Sequence, residues 1–174
     1  LEKVSAKEVL TNDENTEFLK GRNRVDIIAQ NAFNAGIPLM IDAEESWIQE
    51  AIDEIAHMLM TKYNLERPFV YNTAQMYRYD RLIYIKHLLD QAEEGGFYIG
   101  LKIVRGAYME KERERAEKNG YPSPIQPTKA ATDVDYDKAI RFCIDNIDRI
   151  SICAGTHNER SSFLLTEIMK ENQV

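Results

Sequence analysis

Apolar residues along this chain alternate between helical stripes and short continuous runs. Val25, Ile28, Ala29, Ala32 and Phe33 share one helical face, and Gly36 stands where a C-cap would. The polar stretch before them reads as a lead-in. Residues 37–44 form a short apolar run that closes in acids, which predicts a strand over 37–42. Ser46 and Gln49 have capping-box spacing, and Ile48, Ile52, Ile55 and Leu59 then stripe a helix reaching about Tyr63. Residues 68–75 predict a second strand. Asp80 precedes a helix with Ile85, Leu88, Leu89 and Ala92 inward, stopped by Gly95 and Gly96. A third strand is expected over 98–106, followed by a charged helix from Met109 to Lys118 and a proline-rich loop over 120–127. Tyr136, Ala139, Ile140, Cys143, Ile144 and Ile147 mark the next helix. Residues 151–157 predict a fourth strand, and Asn158 can cap a last helix carrying Leu164, Leu165, Ile168 and Met169.

The order is a helix followed by four strand–helix units. Such alternation implies an α/β fold with parallel strands and right-handed crossovers. The length of 174 residues suggests one domain, and 44% hydrophobic residues suffice for a core. A net charge of -7 with scattered cations excludes nucleic acid as a natural partner. Cys143 and Cys153 lie on different elements and read as reduced core residues of a cytosolic-type compartment. No apolar run has the length of a membrane span. Metal-ligand spacings, a dinucleotide glycine motif, a phosphate loop and a Gly-x-Ser-x-Gly elbow are all missing, so no metal is expected.

Each predicted strand ends in polar groups: Asp42, then Asn72 and Gln75, then Lys102 and Arg105, then Thr156 and His157. In a parallel barrel these ends meet around one cavity; in an open sheet they line a crevice. The segment Leu101-Lys-Ile-Val-Arg-Gly-Ala-Tyr108 carries the strongest signal. Two cations inside an apolar run ask for an anionic or electron-rich partner. Plainer roles compete at every position. Asp42 could cap a helix, Asn72 and Gln75 could satisfy loop backbone, and His157 could pack or cap. Tyr77 and Tyr79 read as packing residues, and the run Glu110-Lys-Glu-Arg-Glu-Arg115 reads as a solvated helix face. Agreement among four strand ends is what favours a site.

Residues 102–113, Lys-Ile-Val-Arg-Gly-Ala-Tyr-Met-Glu-Lys-Glu-Arg, resemble the signature of the proline dehydrogenase family. The likeness extends through Met40-Ile-Asp-Ala-Glu-Glu45, Tyr71-Asn-Thr-Ala-Gln75, the Gly120 to Asp133 segment and Thr156-His-Asn-Glu159. The wording is nearer the mitochondrial and single-function bacterial branch than the long bifunctional proteins. The resemblance implies a partial (β/α)8 barrel, residues 1–174 being the central part of the enzyme with about four of its eight units. It implies FAD at the strand ends and oxidation of L-proline to Δ1-pyrroline-5-carboxylate, with electrons passed to a quinone. It assigns Lys102 a place beside the flavin N5 and pyrimidine edge, where a cation stabilises charge on the reduced ring. Asn72 matches an amide on the isoalloxazine. Val104, Gly106, Ala107, Tyr108 and Met109 match the segment wrapped against the cofactor, with Tyr108 also bordering substrate. Lys129 matches a cation near the phosphates, and Thr156, His157 and Asn158 a cofactor-contacting turn. Asp42 matches an active-site acid. A cytoplasmic location, peripheral at an inner membrane, follows from the same branch, with a mitochondrial one as the alternative.

The family's early-strand lysine has no match, and its adjacent arginine pair that clamps the substrate carboxylate would lie beyond Val174. A full barrel needs ~250 residues. Half a barrel leaves open edges, which predicts a homo-oligomer, an exchanged-element dimer or reliance on segments outside residues 1–174. Two rivals stand beside this reading: a Schiff-base enzyme using Lys102, as in class I aldolases, and a non-catalytic barrel fragment.

Overall fold

Four parallel strands form one sheet in sequential order: β1 (Leu39–Met40), β2 (Val70–Gln75), β3 (Ile99–Val104) and β4 (Ile150–Ala154). The computed structural model describes residues 1–174. Seven helices accompany the strands: α1 (Glu2–Ser5), α2 (Asn12–Asn34), α3 (Ser46–Tyr63), α4 (Arg81–Gly95), α5 (Met109–Asn119), α6 (Lys129–Asp145) and α7 (Glu159–Glu171). Each of the first three strands runs into helix that returns the chain to start its parallel neighbour, and β4 leads into α7. The result is part of a (β/α)8 barrel wall.

Period-2 alternation divides the sheet into two faces. Val70, Ala74, Ile99, Leu101, Ile103 and Ile150 join the core with Leu59 and Met60 of α3, Ile85 and Leu88 of α4, and Tyr136 and Ile140 of α6. The other face carries Thr73, Gln75, Lys102 and Val104 and stays open at its C-terminal end. Lower on that face the Tyr71 hydroxyl and Ser151 Oγ lie 3.0 Å apart. A Cβ at Gly100 would fall 2.4 Å from the Val70 carbonyl oxygen and 2.7 Å from the Tyr71 ring, so only glycine lets β3 pass beneath that ring.

Asn64, fully buried at the end of α3, joins helix to sheet. Its amide donates to the carbonyls of Val70 (2.9 Å) and Tyr98 (3.0 Å), and its oxygen accepts from the Phe69 and Val70 N–H groups at 2.9 and 2.8 Å. All its strong bonding capacity is used, which offsets the cost of burying an amide.

Several boundaries differ from those expected. β1 is shorter because it is the edge strand and Pro38 has no N–H to offer; beyond it, Ile41 N still donates to the Tyr71 carbonyl at 2.8 Å. β4 stops at Ala154 because the chain turns at Gly155 toward α7. The polar lead-in is helix: Thr11 Oγ1 accepts from Glu14 N (3.3 Å) while Glu14 Oε2 accepts from Thr11 N (2.9 Å), a capping box that starts α2 at Asn12. The Ser46–Gln49 spacing does not form such a box. Gln49 instead accepts from Glu44 N at 3.0 Å, and both Ser46 donors go to Glu112. Asp80 occupies the N-cap of α4 without a side-chain bond to the helix, because Arg78 and Arg81 take its carboxylate.

Candidate active site

A cavity of about 980 Å³ opens at the C-terminal ends of the strands. Its lining comes from all four: Asp42, Ala43 and Glu44 after β1; Thr73 and Gln75 of β2; Lys102 and Val104 of β3 with Arg105, Gly106, Ala107 and Tyr108 after it; Ala154, Gly155, Thr156, His157 and Asn158 from β4 onward. Lys129 of α6 completes it. The strand ends converge, as their polar endings predicted, because parallel strands with helical crossovers present all their C-termini on one side.

Thr73 and Lys102 are register partners, so their side chains stand side by side on the cavity face. Lys102 Nζ is paired with the Asp42 carboxylate across the cavity. Thr73 Oγ1 donates to the Ile41 carbonyl at 2.7 Å, fixing the residue just before Asp42. Gln75, buried, ties two loops together: Nε2 donates to the Glu44 carbonyl at 2.8 Å and Oε1 accepts from Ala107 N at 3.0 Å. Tyr108 Oη donates to Glu44 Oε2 at 2.6 Å. That hydrogen bond, with lesser burial and the charges of Glu44, Glu45 and Asp42, pushes the phenol up to about 12. Tyr108 therefore keeps its proton at neutral pH.

Arg105 is fully engaged at the cavity edge. Nε donates to Asp133 (2.5 Å), one terminal nitrogen to Thr156 Oγ1 (2.7 Å) and the other to Ser161 Oγ (2.9 Å), while the guanidinium lies 4.3 Å from the Tyr136 ring centroid. Hydrogen bonds from Lys129 and then Arg105 hold the Asp133 carboxyl below the usual range. Lys129, largely exposed, bonds Asp133 at 2.6 Å. Asn158 caps α7 through Ser161 N at 3.2 Å, and Thr156 Oγ1 accepts from Asn158 N at 3.0 Å, so the turn presents the helix N-terminus to the cavity.

Ten of the twelve residues that the family resemblance assigned to the site lie here, Asp42, Lys102, Val104, Gly106, Ala107, Tyr108, Lys129, Thr156, His157 and Asn158, together with the strand-end residues Gln75 and Arg105. Asn72 and Met109 do not. Asn72 has the phase of Val70 and Ala74, so it points into the helix layer, fully buried. There its amide donates to Asp53 Oδ1 (2.7 Å) and the Tyr84 hydroxyl (3.0 Å). Gln75, three residues along and so of opposite phase, is the strand amide in the cavity. Met109 begins α5 and faces outward, 42% exposed. Sequence reasoning missed Glu44, whose place between the acids of 42–45 gave no hint that it would meet Tyr108. It also missed the buried pair Arg81 and Asp53, 2.6 Å apart behind β2 and reinforced by Asp80 and Glu50.

The description "Proline dehydrogenase" belongs to the family whose model matches residues 2–174. Proline dehydrogenase 1, mitochondrial, of Drosophila melanogaster is 35% identical over 158 residues, 85% of this chain and 23% of that protein. Its namesake in Dictyostelium discoideum is 34% identical over 180 residues, 100% of this chain and 32% of that protein. Hydroxyproline dehydrogenase of Xenopus laevis is 32% identical over 163 residues, covering 91% of this chain and 35% of that protein. The chain thus spans about a quarter to a third of the length of these relatives. In structure, proline utilization A from Bdellovibrio bacteriovorus superposes with a TM-score of 0.86 at 21% identity, over 92% of this chain and 17% of that one, and so shares its fold. A family match along almost the whole chain, curated relatives above 30% identity and a cavity built at the strand ends by the same blocks of sequence together place this chain in the proline dehydrogenase family.

Proposed function

We propose that residues 1–174 act as one unit, supplying the flavin-facing wall of an FAD-dependent enzyme that oxidises L-proline to Δ1-pyrroline-5-carboxylate and passes electrons to a quinone. The observation that carries this reading is the Lys102–Asp42 pair standing with Gln75 and Tyr108 in one strand-end cavity. The donor set suits a flavin: an ammonium and an amide for an electron-rich ring, small apolar Val104 and Ala107 for its face, and a helix N-terminus with Lys129 nearby for an anionic tail. When bound, the flavin supplies the hydride acceptor.

The chain's own residues bind and orient. Lys102 offers positive charge where negative charge grows on reduction, and Asp42 holds that ammonium in place. Gln75 sets the spacing of the Glu44 and Ala107 segments. Tyr108, kept protonated by Glu44, presents a neutral rim to the substrate side. The substrate carboxylate needs a bidentate cation. Arg105 is the one arginine in the cavity lining, and Asp133, Thr156 and Ser161 already occupy it. The proposal assigns that clamp to the rest of the full-length enzyme. The family match leaves the Schiff-base reading of Lys102 without support. The mitochondrial names of several relatives favour that compartment over the cytoplasm for the whole enzyme. No helix is long and apolar enough to cross a membrane, and association with one is part of the proposal only at its periphery.

Anaerobic mixing of the full-length protein with proline tests the reading. Its visible flavin absorbance should bleach, and tetrahydrofuroic acid, a proline analogue, should inhibit. Residues 1–174 supplemented with FAD should not bleach. A full-length protein without flavin absorbance, or one indifferent to proline, would overturn it.

A further inference from the structure

Three consecutive residues after β1 each take one partner from α5 or its N-cap. Tyr108 Oη donates to Glu44, Lys111 pairs with Glu45, and Glu112 accepts from Ser46 N at 2.5 Å and Ser46 Oγ at 2.6 Å. Tyr108 and Glu112 stand four residues apart, one above the other on the same face of the helix. Glu112 is wholly buried, alone among its charged neighbours in the run 110–115. Burying a carboxylate is costly unless it is well bonded. The cost is offset at this place by the N-terminus of α3: Glu45 provides no side-chain cap, and Ser46 N is an orphan donor at the positive end of the helix.

We infer that Glu112 is a positioning residue, fastening the segment after β1 to α5 so that Asp42 and Glu44 meet Lys102 and Tyr108 across the cavity. The inference deepens the flavoenzyme reading and rests on it for the cavity's purpose, while the contact itself does not. Among the ties between the two segments, Lys111–Glu45 is solvent-exposed at the lysine and weak. Gln75 holds only backbone groups, the Glu44 carbonyl and Ala107 N–H. Glu112–Ser46 is the buried, charge-assisted bond. It lies two residues from Glu44, whose carboxylate must reach the Tyr108 hydroxyl.

The readout is the ionisation of Tyr108 in the full-length protein, followed by NMR with ¹³Cζ-labelled tyrosine and assigned by loss of the signal in Tyr108→Phe. It involves neither proline nor flavin, so failure here is separate from failure of the proposed activity. The wild-type phenol should titrate near 12. Glu112→Gln should keep that value, because the amide can accept from Ser46 N and donate to Ser46 Oγ. Glu112→Ala should drop it by one unit or more toward the ordinary 10. A double variant, Ser46→Pro with Glu112→Leu, should do the same while remaining folded. Proline suits the first position of a helix, Glu45 is already extended with φ -67° and ψ 149°, and no buried partner is left unpaired. Ile140→Val, a core change far from the contact, should leave the titration alone. The inference falls if Tyr108 titrates as in wild type without Glu112, or if Ile140→Val moves it equally. It also falls if the double variant cannot fold while Ile140→Val does, since Glu112 would then be a folding determinant.

Discussion

A methyl group on Gly106 would lie 2.4 Å from the ring of Tyr77. The chain leaves β3 at that point with φ +136°, a backbone conformation that side chains rarely adopt, and the buried Tyr77 ring fills the space a Cβ would need. The Arg-Gly-Ala-Tyr turn is thus shaped from below by the β2–α4 loop. Tyr77 N also donates to the Arg105 carbonyl at 2.6 Å, holding the two loops in contact.

Gly106→Ala should destabilise the protein by roughly 1–3 kcal/mol from backbone strain alone, and by more because the ring must move. Gly36→Ala is the comparison: its φ is +69° and nothing lies within 4 Å of the added carbon, so it should cost only about 1–2 kcal/mol. Urea midpoints measure both. Equal losses would mean that the Tyr77 contact carries no weight.

Breaking the Arg81–Asp53 pair should be among the costliest polar changes in the chain. Both side chains are under a tenth exposed and 2.6 Å apart. Asp53→Leu leaves the buried guanidinium to Asp80 and Glu50 alone and takes the shared acceptor from Gln49 and Asn72, and should cost about 3–5 kcal/mol. Adding Arg81→Met should recover part of that loss, since an apolar pair needs no compensation. A double-mutant cycle in chemical denaturation reads the coupling, and strict additivity would contradict it.

Asp80 should shape the acid limb of stability. Burial raises its carboxyl, but hydrogen bonds from Arg81 and Arg78 outweigh that and hold it at about 2, against an ordinary 3.8. A carboxyl depressed on folding contributes its full stabilisation above the unfolded value and loses it as pH falls through the folded one. Stability should therefore decline between pH 4 and 2, and Asp80→Asn should flatten part of that decline. Glu14, also held at about 2, keeps its own share. Thermal melts of both proteins across this range decide it, and unchanged slopes would remove Asp80 from the account.

Asn72→Ala and Gln75→Ala should separate the two faces of β2. Asn72 braces the helix layer, so its loss should cost about 1–3 kcal/mol from the buried hydrogen bonds given up at Asp53 and Tyr84, with the cavity left intact. Gln75→Ala should release the Glu44 and Ala107 segments and weaken flavin retention in the full-length protein. Flavin absorbance per protein after gel filtration distinguishes them. Equal flavin loss in both would place Asn72 back among the cofactor-facing groups.

Lys102→Met in the full-length enzyme should slow flavin reduction by proline by about 10²–10³. Folding should be little affected, because the partner left behind, Asp42, is 74% exposed. Stopped-flow bleaching measures the rate, and a normal rate would remove the lysine's assigned role.

The succession of apolar stripes and runs determined the parallel sheet and its order. Helical and extended periods are local properties, and a strand followed by a crossover helix has one favoured way to meet the next. The strand-end cavity was legible for the same reason: parallel strands present their C-termini together, so Asp42, Lys102 and Thr156 had to converge. Tertiary structure decided the rest. Asn72 and Gln75 are three residues apart and so on opposite faces of β2, and which of them faces the cavity depends on how the strand is set between its neighbours. Glu112 sits in a run of charges that reads as a solvated helix face, and is buried only because the first turn of α3 offers it two donors from 66 residues away. Arg81 and Asp53 look like ordinary surface charges on separate helices. Their pairing behind β2 spans 28 residues, and no local period records the partner of a buried charge.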